Sequence, residues 1–246
     1  MEQFKNKYKG KRLFVIGNGP SLLNTPLDQL AGEYTFAMNR VSMLYETTKW
    51  RPTFFLCTTT NINQPEWEKD ILQTVGLGID TFVWDDLMGH FTGYGNVYPL
   101  NCKNGTEVVN HAPDDWWSYD VTRRVTKFGT SMIVALQIAT YMGFNPIYIV
   151  GADLGFKAQR LAKLKKVLNY VPFFKGTNQD LNHFHPSYGT PGLDAKNLNT
   201  NMLAAHELAH RATLKVGVTI YNATVGGNLE VYPRADIHEV LQKSGD

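Results

Sequence analysis

At 246 residues the chain suits one large domain, or a core carrying a smaller insertion, and is too short for a long array of domains. Hydrophobic residues make up 43% and charged residues 19%, below the roughly 25% charge of average usage, which excludes intrinsic disorder. Lys plus Arg number 24 against 22 for Asp plus Glu, so a net charge of +2 excludes a broadly basic surface for nucleic acid or membrane and leaves only local basic patches.

The first twelve residues carry Lys5, Lys7, Lys9, Lys11 and Arg12, and the apolar run behind them, 13–16, is too short for the core of a signal peptide. Cys57 and Cys102 form neither a disulfide framework nor a four-cysteine zinc site, so a reducing, cytoplasmic location is expected. Short apolar runs bounded by turn residues predict strands at 13–16, 35–38, 53–57, 81–84, 96–100, 147–150 and 219–221. Several lack in/out alternation, the mark of strands covered on both faces, and helical patterns lie between some of them at 26–30, 65–75 and 130–142. The class is therefore α/β, with a mostly parallel sheet and helices on both faces. Thr25 before Pro26 reads as an N-cap, with Asp28 facing the positive end of that helix. Residues 128–152 carry no charge, but Gln137, Gly143, Asn145 and Pro146 interrupt them, so they read as helix, turn and strand and no stable membrane span is expected. From 154 to 190 the character changes to a basic amphipathic stretch, 157–171, and then a Gly, Asn, His and Pro-rich loop. The expected organisation is a nucleotide-binding core over 1–153, a lid over 154–190 and the rest of the core over 191–246.

Four motifs carry chemical promise. The strand Leu13-Phe14-Val15-Ile16 runs into Gly17-Asn18-Gly19-Pro20-Ser21-Leu22, a glycine turn whose main-chain amides suit a phosphate. Leu22 stands where a dinucleotide fingerprint has its third glycine, and no Gly-Lys-Ser/Thr follows, so the turn also fits an ordinary strand end. Lys127-Phe128-Gly129-Thr130-Ser131 precedes the second motif's buried helix, and Thr130 and Ser131 suit either a helix cap or a ligand phosphate or ribose. Asp153 ends the strand that follows, where open α/β sheets place ligands. Third, Asn182-His183-Phe184-His185-Pro186-Ser187-Tyr188-Gly189 offers two histidines as general bases beside a tyrosine, or else hydrogen-bonded structural histidines. Fourth, His206-Glu207-Leu208-Ala209-His210 matches the H-E-x-x-H zinc motif letter for letter, although Glu230, Asp236 and His238 downstream follow no metalloprotease spacing; two histidines on a packed helix fit equally. No D-x-D sequence for a metal-dependent nucleotide-sugar site occurs.

In succession these elements resemble two related groups, the bacterial lipooligosaccharide sialyltransferases and the family named after archaeal 6-hydroxymethylpterin diphosphokinase. The match runs from Gly17 to Leu22, through Phe36-Ala37-Met38-Asn39, Thr130-Ser131 and Gly143-Phe144, to Gly151-Ala152-Asp153. Asn222-Ala223-Thr224, Gly226-Gly227 and Leu229-Glu230-Val231-Tyr232-Pro233-Arg234 look like the closing signature of the second group. The resemblance implies a Rossmann-like core with a lid closing over a nucleotide donor. It also implies that Gly17, Asn18, Gly19, Pro20, Ser21, Asn39, Thr130, Ser131 and Asp153 bind the nucleotide. A lid histidine would be the base, His185 through a local shift of register or else His183, and Tyr188 or Tyr170 would support the leaving phosphate together with Lys157. The function expected is a metal-independent, inverting glycosyltransferase that takes a nucleotide-sugar donor and no further cofactor. Its acceptor is a glycan, a lipid-linked saccharide or a modified nucleic acid, and a homo-oligomer is compatible with it. The alternatives are ATP-dependent diphosphoryl transfer to a pterin alcohol, which requires magnesium, and a non-catalytic nucleotide-sugar-binding protein.

Overall fold

A computed structural model of the chain describes residues 1–104, 116–155, 180, 182–189 and 195–243. Seven of the apolar runs pair in parallel: β1 (Leu13–Ile16), β2 (Thr35–Met38), β3 (Phe54–Cys57), β4 (Asp80–Trp84), β5 (Val97–Leu100), β8 (Ile147–Val150) and β9 (Ile220–Asn222). Their order is β5-β4-β3-β2-β1-β8-β9. Two short strands, β6 (Cys102–Asn104) and β7 (Val125–Lys127), form a separate parallel pair.

Residues of β1 to β4 alternate between two cores rather than between core and water. Leu13, Val15, Phe36, Phe54 and Phe82 face one; Phe14, Ile16, Ala37, Phe55 and Val83 face the other. Burial on both faces is why the hydropathy of these strands does not alternate. The first core is roofed by α2 (Ser131–Tyr141) and α3 (Ala195–Lys215). The second is roofed by α1 (Pro65–Val75), α4 (Ile237–Gln242) and several 3-10 turns. The chain winds outward from β1 to β5 and then returns to lay β8 and β9 on the other flank of β1. The β1/β8 boundary is therefore the topological switch point, and the crevice at its carboxyl end is where such sheets bind ligands.

Gln137 sits in the middle of the apolar helix α2 for a specific reason. It is fully buried; its Oε1 accepts from the amides of Ser118 and Thr126, each at 3.1 Å, and its Nε2 donates to the carbonyls of Thr126 (2.7 Å) and Ile133 (3.1 Å). One side chain thus ties β7 to α2 and fixes the approach to Lys127. The uncharged stretch over 128–152 is helix, turn and strand, as its interruptions imply, and among the described residues no helix is long and apolar enough to cross a membrane. The lysine-rich amino terminus closes the end of α2. The amides of Asn6, Tyr8 and Gly10 donate to the carbonyls of Tyr141, Met142 and Gly143, and the Tyr8 ring stacks on Phe144.

One local expectation differs. Residues 26–30 make only a 3-10 turn, Leu27–Leu30, and Thr25 does not cap it; its hydroxyl donates back to the Ser21 carbonyl. The Asp28 carboxylate instead accepts from the Lys49 and Trp50 amides and the Thr48 hydroxyl, pinning the approach to β3. A single turn offers too few aligned peptides to compete with these three donors. Most of the expected lid lies outside the described residues, including the basic stretch 157–171 with Lys157 and Tyr170.

Replacing Gln137 with Leu leaves two buried amides unpaired, so Gln137→Leu is expected to lower stability by about 3 kcal/mol, read from the urea midpoint at an unchanged m-value.

Candidate functional site

The turns that end β1 and β8 are locked together. In register, Ile16 lies beside Val150, the Gly17 amide donates to the Val150 carbonyl at 2.7 Å, and the Gly19 amide donates to the Gly151 carbonyl at 2.9 Å. A methyl group at Gly17 would overlap the Gly151 carbonyl, and one at Gly19 would overlap the Asp153 carboxylate. That carboxylate accepts from the Ser21 hydroxyl at 2.7 Å and the Ser21 amide at 3.2 Å. Its own backbone is clamped from behind, because the Asn228 amide donates to the Asp153 carbonyl at 2.6 Å and Gly227 leaves no room for a side chain. The chain then passes through Leu154 at φ 41° and Gly155 at φ 98°, so a bulky residue is held in the left-handed region where the chain leaves Asp153.

Most of the turn's amides, which the sequence offers to a phosphate, are paired within the chain. The amides of Gly17, Gly19 and Ser21 are all engaged within the chain, Pro20 has none, and the turn after it is a five-residue 3-10 segment. The glycines admit the protein's own backbone and carboxylate, and Asp153 is the resident anion of the cradle.

What the turn does present is Asn18. Its Nδ2 donates to the Met38 carbonyl at 3.3 Å, while its Oδ1 is buried with no partner among the described residues. Asn39, at the end of β2, repeats the feature: it sits at φ 57°, its side chain hydrogen-bonds the Tyr188 hydroxyl, and its Oδ1 is buried and unpaired. Two buried amide oxygens on neighbouring strand ends thus lack a donor, and a ligand amino or hydroxyl group would satisfy them.

One strand further, Thr58 follows β3. Its hydroxyl and that of Ser131 lie 2.8 Å apart, and its carbonyl accepts from Lys127 Nζ. Thr130 caps α2, its hydroxyl accepting from the Met132 amide at 3.3 Å. Lys127 is largely buried, with no carboxylate ion pair among the described residues, and burial pushes its pKa down. Positive charge therefore collects here from the lysine and from the amino end of α2. Cys57 beside it is fully buried and its thiol is pushed up to about 12, so it is inert at neutral pH.

The histidine segment is seated on this platform. The Phe184 amide donates to the Asn18 carbonyl at 3.0 Å, and the Arg40 guanidinium donates to the carbonyls of Ser187 and Tyr188, each at 2.8 Å. Arg40 is itself paired to Asp70 of α1 at 2.6 Å and lies over the rings of Trp67 and Tyr188. Tyr188 is 2% exposed, touches Trp67 and Phe184 edge-on, and carries the His183 ring stacked on it at 4.2 Å. Burial drives the Tyr188 phenol far up, so it stays neutral and serves as a platform beneath the histidine.

The two histidines differ in a way that decides their chemistry. His183 Nδ1 lies 2.6 Å from Asp180 Oδ2, and an ionised carboxylate only accepts, so Nδ1 carries the hydrogen and the Nε2 lone pair is left outward. His185 Nδ1 accepts from the Ser187 amide at 3.1 Å, so its hydrogen is on Nε2 and its lone pair is already used. His183 therefore keeps an unused ring lone pair and His185 does not, whereas the sequence alone ranks His185 first of the two. Asp180, Arg40, Asp70 and Thr58 are members of the site that the sequence reading did not single out. The D-x-x-H spacing from Asp180 to His183 was the one local signal available.

The H-E-x-x-H segment lies on α3, with both imidazoles turned onto Tyr232. His206 Nδ1 is 3.0 Å from the Tyr232 hydroxyl, and both rings meet Tyr232 edge-on. Among the described residues no group of three or more His, Cys, Asp or Glu stands ready to hold a metal ion. Burial pushes His206 down to about 4, so it is neutral in the folded protein.

The fold and the crevice define a Rossmann-like α/β protein. No family model and no curated protein matches the chain. Among solved structures, the MAf glycosyltransferase of Magnetospirillum magneticum AMB-1 superposes with a TM-score of 0.56 at 10% identity, over 95% of this chain and 35% of that one. The chain thus spans about a third of that protein, and the likeness establishes a common fold. The sialyltransferase CstII of Campylobacter jejuni, solved with the substrate analogue CMP-3FNeuAc, superposes with a TM-score of 0.39 at 16% identity, over 86% of this chain and 79% of that one.

Because His206 is neutral when folded and has an ordinary value of 6.5 when unfolded, the unfolded state binds the extra proton between those values. Stability is expected to fall by roughly 3 kcal/mol as pH drops from 6.5 to about 4, and the part due to this group should vanish in His206→Gln, measured by denaturant titration across that range.

Proposed function

We propose that the chain is a transferase that moves a sugar from a nucleotide-activated donor to a hydroxyl acceptor. The observation that carries this reading is the placement of His183. A correctly tautomeric imidazole, backed by a carboxylate, is docked through Phe184 onto the glycine turn at the switch point of an α/β sheet.

In this reading the donor lies across the carboxyl ends of β1, β2 and β3. Asn18 and Asn39 take hydrogen bonds from its nucleoside part through their unpaired oxygens. Its phosphate lies toward Lys127, Thr130 and Ser131 rather than against the glycine turn, where the amides of Gly17, Gly19 and Ser21 are paired within the chain and Asp153 fills the cradle. His183 Nε2 takes the acceptor proton as the hydroxyl oxygen attacks the anomeric carbon, the bond to the phosphate oxygen breaks on the opposite face, and the configuration inverts. Lys127 and the amino end of α2 offset the charge developing on the leaving phosphate, the preorganised electrostatics that usually contributes most to such steps. The positive charge is protein-borne, so the reaction in this reading runs without a metal. The acceptor is a glycan, a lipid-linked saccharide or a modified nucleic acid.

A thermal-shift panel of CMP, UDP, GDP and ATP, with and without magnesium, identifies the nucleotide, since a ligand bound only by the folded state raises the melting temperature. Turnover of the matching nucleotide-sugar should then fall at least ~100-fold in His183→Ala and stay within a few-fold in His185→Ala. Near-normal turnover in His183→Ala would refute the assignment. Activity that appears only with ATP and magnesium and is abolished by a chelator would move the reading to diphosphoryl transfer, and binding without donor hydrolysis or transfer would make the chain a nucleotide-sugar-binding protein. Lys127→Met should weaken the nucleotide by roughly 10-fold or more, the loss of one charge-assisted hydrogen bond, with little change for the free nucleoside.

A further inference from the structure

We infer that Asp180 is a positioning residue that sets the tautomer and the orientation of His183. The inference rests on the reading that His183 is the base, and its geometry stands independently of which nucleotide or acceptor is used.

The carboxylate is built into place from several sides. Its Oδ1 accepts from the Asn182 amide at 2.8 Å and its Oδ2 meets His183 Nδ1 at 2.6 Å. The Asp180 amide donates to the Pro186 carbonyl at 2.8 Å, closing a small loop around both histidines. Gly189 packs so tightly against Oδ2 that a methyl group there would overlap it. Only 12% of the Asp180 side chain is exposed. Burial alone would raise its carboxyl, but the hydrogen bonds from His183 and Asn182 outweigh it and hold it below the usual range, so it is ionised at neutral pH.

The other charged or titratable groups around His183 leave this pairing dominant. Tyr188 lies flat beneath the ring and is neutral; Arg40, beyond Tyr188, is neutralised by Asp70; and His185 is turned into its own loop by Ser187. A single buried negative charge therefore faces Nδ1. It holds the hydrogen on that nitrogen and aims Nε2 outward, the orienting part that a carboxylate plays for the imidazole in hydrolase triads. Stacking on Tyr188 fixes the ring plane, and Asp180 fixes rotation within that plane.

The experiment compares the wild-type chain with Asp180→Asn, which keeps size and the Oδ1 contact but removes the charge. His183 is followed by its imidazole carbon and nitrogen NMR signals, assigned by their loss in His183→Asn. The wild-type ring should be the Nδ1–H tautomer, and Asp180→Asn should mix the tautomers. The kcat should fall at least ~10-fold with KM for the donor little changed. Should Asp180→Asn fail to fold, Gly189→Ala, whose methyl pushes the carboxylate off Nδ1, should reproduce the mixed tautomer. An unchanged tautomer in whichever of the two variants folds would overturn the role of Asp180 while leaving His183 as the base. Normal turnover in His183→Asn would overturn the base itself, whatever the NMR signals of Asp180→Asn show.

Discussion

The contact on which the site depends is the meeting of two strand-end turns with nothing between them. Gly17 and Gly19 lie against Gly151 and Asp153 closely enough that a single methyl group would part them. Amide-to-carbonyl bonds extend the β1/β8 pairing past the ends of both strands, and the Asp153 carboxylate finishes the joint by taking the Ser21 amide and hydroxyl. An anion at an unpaired turn amide is a familiar arrangement, but here the protein supplies the anion itself. The direct result is that Asn18, trapped between two engaged glycines, presents its carbonyl to the histidine segment and leaves its side-chain oxygen unsatisfied.

The second half of the site is delivered by a buried cation. Arg40 stands beside Asn39, at the end of β2, and crosses to two consecutive carbonyls of the histidine segment while Asp70 neutralises it. A buried guanidinium is tolerated only when its donors are met, and three oxygens with two aromatic faces meet them. The loop therefore has one seat. Tyr188 goes down into the core, the His183 ring lies on top of it, and the loop's own hydrogen bonds separate the two histidines into one with an open lone pair and one without.

The sheet was legible because physical periodicity reaches the sequence directly: seven apolar runs between turn residues, buried on both faces, became its seven parallel strands. Helices α1 and α2 were visible for the same reason, and Gln137 read correctly as an interruption of a membrane-like stretch even though three of its four hydrogen bonds reach Ser118 and Thr126, outside its own helix. What failed to show depends on pairs far apart along the chain. Nothing near Gly19 announces that Asp153 will fill its cradle. Nothing near Thr25 announces that Asp28 will be taken by residues 48–50. The H-E-x-x-H match has the right helical spacing and the wrong surroundings, because Tyr232 occupies the space between its imidazoles. Asp180 and Arg40 are lone charges in irregular segments, where no period exists to make them stand out.

In the proposed reading, two charges at the crevice set how an anionic donor lies in it. Asp153 follows β8 and Lys127 reaches the end of β3, three strand steps away, or about 14 Å at the usual spacing. At an effective dielectric near 20, a phosphate charge about 4 Å from either group gains or loses about 4 kcal/mol, whereas the two groups acting on each other across the crevice contribute only about 1 kcal/mol. The field is thus strong locally and opposite in sign at the two ends. A phosphate is pushed away from the glycine turn and drawn toward Thr58, Ser131 and the amino end of α2. The neutral, donor-rich part of the ligand is left to the unpaired oxygens of Asn18 and Asn39. Since the histidine segment docks through Asn18 and Arg40, it stands over the sheet at β1 and β2, between the two ends, which is where the proposed reading needs a base beside the bond from sugar to phosphate.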